Sequence, residues 1–187
     1  MSKSKLSKLL LLCFIITSIG LIRVGATLSS DFKIIANFSP IGAIALFGAA
    51  YFKNHFKAIY IPLLILILSD VFISRSSGYG FFYSGWYFTY IAFILMIIFA
   101  KITIRKIAIP DVTIALVSVI LIHWTVSDLS PMFIPGLYPR TISGYFSCLR
   151  NAIPFEIRFF YGTLFYSLLM FGSYEMMKAR VLIKMVH

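Results

Sequence analysis

Residues 58–73 read AIYIPLLILILSDVFI, an apolar run that carries one carboxylate, Asp70, close to its far end. An acid in such a run costs roughly 2.5–3.5 kcal/mol at a helix centre and less towards an interface. A partner must therefore hold it there. An ionisable residue inside a membrane segment is by default a functional-site residue, so the remaining chain is read for what it brings to the level of Asp70.

The composition explains why the run belongs to a membrane. Of 187 residues, 60% are hydrophobic and only 12% charged, with a mean hydropathy of +0.95. So few charges do not cover that much apolar surface in water, and the missing solvent is lipid. The net charge of +11 sits in short clusters between apolar runs, as topology signals do. It forms no aromatic-interleaved patch, which argues against nucleic acid as a partner. Cys13 and Cys148 lie far apart with no CxxC spacing, so neither a zinc site nor a disulfide framework is indicated.

Apolar runs separated by basic or polar turns predict an all-α bundle of six transmembrane helices in one domain over residues 1–187. The expected helices cover about 9–26, 39–52, 58–73, 82–100, 111–127 and 158–177, with an outer loop region at 128–157 that holds a short helix near 142–151. The first run follows the basic leader Lys3, Lys5 and Lys8 and ends in Val24-Gly25-Ala26, so it begins like a signal peptide. Its length suits a retained span. Residues 39–52 are rich in glycine and alanine and rise only about 21 Å, short of the roughly 30 Å hydrocarbon core. Such a helix packs closely on its neighbours, with Ala45 and Ala49 at small-xxx-small spacing.

With the N-terminus inside, eleven of the seventeen Lys and Arg residues fall in cytoplasmic turns and six outside, which favours an N-in, C-in topology. The expected location is a bacterial inner membrane. In that orientation the polar side chains collect at the outer end. Asn37 precedes the second helix, and Asp70 ends the third. Tyr83, Tyr87 and Tyr90 line one face of the fourth, beside Trp86. His123, Trp124 and Asp128 end the fifth, Tyr138 and Arg140 lie in the outer loop, and Glu156 and Arg158 open the sixth. The expected substrate-binding set is Asp70 and Arg158 as polar anchors, the three tyrosines as a wall with His123 and Trp124, and Asn37, Tyr138 and Arg140 as a lid. No GxSxG, HExxH or phosphate-binding glycine loop is present, and no catalytic or metal-ligating set is assigned. Aromatic walls with an acid and a guanidinium suit an amphipathic small molecule. A membrane-embedded enzyme using Asp70 and His123 as acid and base, and a structural subunit, are the rival readings.

Asn37-Phe38-Ser39-Pro40, Leu68-Ser69-Asp70, Tyr138-Pro139-Arg140-Thr141, Cys148 and Ile153-Pro154-Phe155 together resemble a family of small six-helix bacterial membrane proteins. That family is similar to the substrate-binding S components of energy-coupling factor vitamin transporters and includes a solitary cobalamin-transporter type. The resemblance implies uptake of a vitamin or similar cofactor through an outward-facing pocket. Asp70 matches the family's acid, Arg158 its arginine, and Tyr87 or Tyr90 its tyrosine. The cobalamin type places a cobalt-contacting cysteine after the third helix, and residues 74–90 contain none, so a cobalamin-like cofactor is not assigned. The first helix lacks the AxxxA pattern with which S components dock on an energising module, which favours solitary action or another docking face.

Overall fold

The computed structural model describes the backbone of residues 3–28, 38–76, 78, 81–82 and 85–183, and the side chains of these except at 3–9, 11–13, 26–28 and 179–183. Among the described residues the regular elements are all helices: α1 Lys3–Leu28, α2 Ile41–Tyr51, α3 His55–Ser76, α4 Trp86–Thr103, α5 Ile109–Ile122 and α6 Ile142–Ile183. One turn of π-helix, His123–Ser127, extends α5, and a 3₁₀ turn, Ser130–Phe133, follows it. Three stretches, His55–Ser76, Trp86–Thr103 and Ile109–Phe133, are long and apolar enough to cross a membrane.

α2 is the hub. Its nine residues Ile41 to Ala49 are all buried, and it packs on α4, α6 and α3, while α5 covers α4 and α1 lies along α3. Glycines allow these close approaches. A Cβ at Gly42 would meet the Thr163 hydroxyl, one at Gly48 the Pro62 ring at 2.7 Å, and one at Gly162 the backbone of Phe38 and Ser39 at 2.8 Å. The C-terminus of α2 is capped from α4, because the Lys101 ammonium donates to the carbonyls of Ala49 (3.2 Å) and Phe52 (2.6 Å). Cations belong at that end of a helix, where unpaired carbonyls gather. Asn54 Oδ1 accepts the Lys57 N–H at the start of α3, and Thr141 Oγ1 accepts the Gly144 N–H at the start of α6. Gly85, with φ of +77°, turns the chain into α4 where the Ser130 side chain leaves no room for a Cβ.

The outer faces are apolar. Phe56, Tyr60, Leu64, Leu68 and Phe72 form an exposed stripe at every fourth residue of α3, and Tyr161, Leu164, Phe165 and Leu168 form an exposed face on α6 at i, i+3, i+4 and i+7. Buried polar residues instead include Asp70, Ser69, Glu156, Thr163 and Ser167. An exterior of this kind is one that lipid solvates.

Helix boundaries differ from the sequence expectation in instructive places. α3 is longer at both ends than 58–73, and α4 begins at Trp86 rather than near 82. The largest difference is α6. The short helix expected near 142–151 and the separate span at 158–177 are one helix of 42 residues, unbroken at Pro154. Proline removes the bond to the carbonyl four residues back, here that of Arg150. Both residues lie on the exposed side of α6, so the ring meets no packed neighbour and the freed carbonyl is not enclosed by protein.

Overpacking sets the first prediction. Gly162→Ala is expected to lower stability by about 1–3 kcal/mol, because backbone atoms of Phe38 and Ser39 cannot yield cheaply. Gly172→Ala, with nothing within 4 Å, is expected to be neutral or stabilising by up to about 1 kcal/mol. Thermal unfolding of both variants in detergent checks the contrast.

Candidate functional site

Asp70 is 2% exposed, and its partner is Arg23 of α1: Nη2 lies 2.6 Å from Asp70 Oδ1. The guanidinium also donates through Nη1 to Ser69 Oγ at 2.6 Å, and that hydroxyl donates to the Leu66 carbonyl at 2.8 Å. Arg158, expected as the anchor opposite Asp70, is exposed on α6 and forms no ion pair among the described residues. The reason is geometric. Arg23 and Asp70 stand near the C-terminal ends of two helices that pack side by side, so each supplies the counter-charge that the other needs in an apolar wall. Ile15, Ile16 and Ile19 of α1 are buried in the core, which makes the first helix part of the packed bundle.

The expected tyrosine wall divides. Tyr90 is buried among Phe82 and Trp86, with ring centroids at 6.1 and 5.1 Å, whereas Tyr87 faces outward. Tyr83 and Asn37 lie outside the described residues.

A second polar cluster forms where the π-turn meets α6. His123 Nδ1 is 2.7 Å from Glu156 Oε1, and the imidazole stacks on Phe159 at a centroid distance of 3.8 Å. Asp128 is within electrostatic reach of both Glu156 and His123. The π-turn is laced to α6 by three further bonds. Trp124 Nε1 donates to the Leu149 carbonyl (2.9 Å), the Tyr145 hydroxyl to the Thr125 carbonyl (2.6 Å), and Cys148 Sγ to the Asp128 carbonyl (3.2 Å). A π-turn widens the helix by one residue and recurs at functional sites. Here it brings His123 against Glu156 while Trp124 still reaches α6. Burial, with the Asp128 charge adding to it, pushes the Cys148 thiol pKa up, so the sulfur stays protonated and a poor nucleophile or metal ligand. Among the described residues no group of three or more His, Cys, Asp and Glu side chains is placed to hold a metal ion.

Beside this cluster lies an open surface groove of about 460 Å³ lined by Leu129, Met132, Phe133, Arg140, Thr141, Ile142 and Tyr145, of which Phe133, Arg140, Thr141 and Ile142 are exposed. The Arg140 guanidinium stands 5.7 Å over the Phe133 ring. Tyr138 accepts a hydrogen bond from Asn151 Nδ2 at 3.0 Å nearby in sequence. The polar residues thus separate into an Arg23–Asp70 pair between α1 and α3 and a His123–Glu156–Asp128 cluster between α5 and α6. Sequence reasoning placed His123, Trp124 and Arg140 at this end and missed Arg23 as the partner, Tyr145, and the hydroxyls of Thr163 and Ser167. The signal for Arg23 was its isolation: it interrupts an apolar run as Asp70 does.

Removing the guanidinium leaves a buried, unpaired carboxylate. Arg23→Ala is expected to cost about 3–5 kcal/mol, whereas the double variant Arg23→Met/Asp70→Leu is expected to recover most of that. Thermal or denaturant unfolding in detergent measures both; equal losses in the two proteins would mean that the pair is not what stabilises this end.

No curated protein and no solved structure matches the chain. A family model does match it, over residues 3–185. That model spans both clusters and all six helices, and the chain belongs to the family it describes, a family of unknown function designated DUF6580.

Proposed function

We propose that the protein is a six-span, N-in/C-in protein of a bacterial inner membrane that binds a small amphipathic molecule at its outward end and mediates its uptake. The observation that carries this reading is the open groove between the 3₁₀ turn and the start of α6. Its volume of about 460 Å³ falls in the range of small-molecule sites. Leu129, Met132, Phe133 and Ile142 supply an apolar wall, while Arg140, Thr141 and Tyr145 supply the polar contacts. One guanidinium among apolar side chains favours a ligand with an apolar body and an anionic group.

The apolar exterior and the lopsided distribution of Lys and Arg support the membrane topology. The resemblance to S components of vitamin transporters supports uptake of a cofactor-like solute, acting alone or with an energising module. Enzymatic use of Asp70 and His123 is the weaker reading, because Asp70 is held by Arg23 and enclosed by protein, away from any substrate. A structural role leaves the groove and the His123–Glu156 pair without purpose.

Native mass spectrometry of protein released from detergent micelles tests the proposal. A co-purified small molecule of fixed mass is expected. Arg140→Ala and Phe133→Ala are each expected to lower its occupancy as an affinity loss of about 1.4 kcal/mol, or tenfold, would. Binding unchanged in both variants would remove the groove from the account.

A further inference from the structure

α6 carries a line of buried polar groups that the binding site does not use. Glu156, Thr163, Ser167 and Tyr174 are 7%, 0%, 5% and 5% exposed. At 3.6 residues per turn these four positions fall within about 40° of arc, on one face. Three of them have an oxygen with no hydrogen-bond partner: Glu156 Oε2, Thr163 Oγ1 and Ser167 Oγ. Hydroxyls on membrane helices normally turn back to their own backbone. Ser118, Thr125 and Ser147 do so here, donating to the carbonyls of Ile114, Leu121 and Ser143. Thr163 and Ser167 do not.

The line is anchored at both ends by titratable clusters. At one end stand His123 and Asp128 of the α5 segment, with Tyr145 and Cys148 of α6; α4 contributes the neutral Thr89, bonded to Ser127. At the other end the Tyr174 ring packs at a tilt against that of Tyr51 of α2, centroids 4.2 Å apart; the Tyr51 hydroxyl donates to Glu175 Oε1 at 2.9 Å, and Lys178 donates to Glu175 Oε2 at 2.8 Å. Lys101 of α4 is bonded to the carbonyls flanking Tyr51. The span from residue 156 to 174 rises about 27 Å, close to the roughly 30 Å hydrocarbon thickness. Gly42 packs directly on the Thr163 hydroxyl, so a Cβ there would press on that side chain.

We propose that this face of α6 conducts protons between the two ends of the bundle, with the Glu156 carboxylate as the entry point. A proton from the His123 side binds the Glu156 carboxylate. It is then released to a water beside Thr163 and passes by hydrogen-bond exchange along the Thr163 and Ser167 hydroxyls towards Tyr174, Tyr51 and Glu175. Each hydroxyl gives up one proton as it gains another, Glu156 returns to its starting state, and the net change is one proton moved across the membrane. Chains of acids, histidines and hydroxyls within membranes serve such relays. The inference rests on the membrane reading above.

The test is proton flux into proteoliposomes of phosphatidylethanolamine and phosphatidylglycerol, with an internal pH dye and a potassium–valinomycin potential. Acidification above that of protein-free vesicles is expected. Glu156→Gln and Thr163→Val are each expected to lower it towards the level of protein-free vesicles, and Gly42→Ala to lower it by crowding Thr163. Ser118→Ala, whose hydroxyl is exposed and bonded to its own helix, is expected to leave it unchanged. Flux equal to empty vesicles, or full flux in both Glu156→Gln and Thr163→Val, overturns the proposal. No solute is present, so absent flux with a ligand still on the purified protein rejects the relay alone, and flux without any ligand rejects the uptake reading alone.

Discussion

Inside a bilayer no water waits to satisfy an oxygen or a charge, so every polar group drawn into the bundle must find its partner within the protein. The Arg23–Asp70 contact at 2.6 Å is the strongest expression of that constraint. It ties α1 to α3, fixes which faces of the two helices meet, and uses Ser69 to occupy a second guanidinium nitrogen. Neither residue is tolerable in its apolar run without the other. The pair is best understood as architecture, although a lone acid in a membrane helix first invites a functional role.

The same constraint sorts the remaining polar residues. Some hydroxyls are satisfied by their own helix, as at Ser118 and Thr125. Lys101 is spent on the open carbonyls that end α2, and Asp111 on the backbone N–H groups of Arg105 and Lys106 in the turn before α5. Apart from Asp70 Oδ2, the unspent side-chain oxygens include several on α6 and beside the π-turn, where Asp128 Oδ2, Glu156 Oε2, Thr163 Oγ1 and Ser167 Oγ lack partners. An unmade bond of this kind costs about 1–3 kcal/mol. Four such groups on one helix face and the turn packed against it are what the account assigns a use.

Much of this was legible in the residues. The apolar runs located the helices, the small residues of 39–52 identified a tightly packed α2, and Asp70 stood out as an acid needing a partner. The partner was not legible, because sequence spacing ranks neither helix neighbours nor depths. Arg158 carried the resemblance to a known arginine, while Arg23 had only its isolation to recommend it. The π-turn escaped notice because it follows from one extra residue per turn, which leaves no composition signal. α6 reads as two helices because the polar stretch 128–157 reads as a loop; the structure shows it continuous, with Pro154 on an exposed face. The polar line on α6 was present as a periodicity, but phenylalanines and tyrosines on every side concealed it, and only burial separates Thr163 and Ser167 from ordinary surface hydroxyls.

The central claim is that the open oxygens of α6 are held for mobile partners. A structure determined in lipid at a resolution that shows ordered water tests it most directly. The account predicts waters joining Glu156 Oε2 to Thr163 Oγ1 and Thr163 Oγ1 to Ser167 Oγ. A dry α6 face, with the Thr163 and Ser167 hydroxyls turned onto the carbonyls of Phe159 and Thr163, would contradict it.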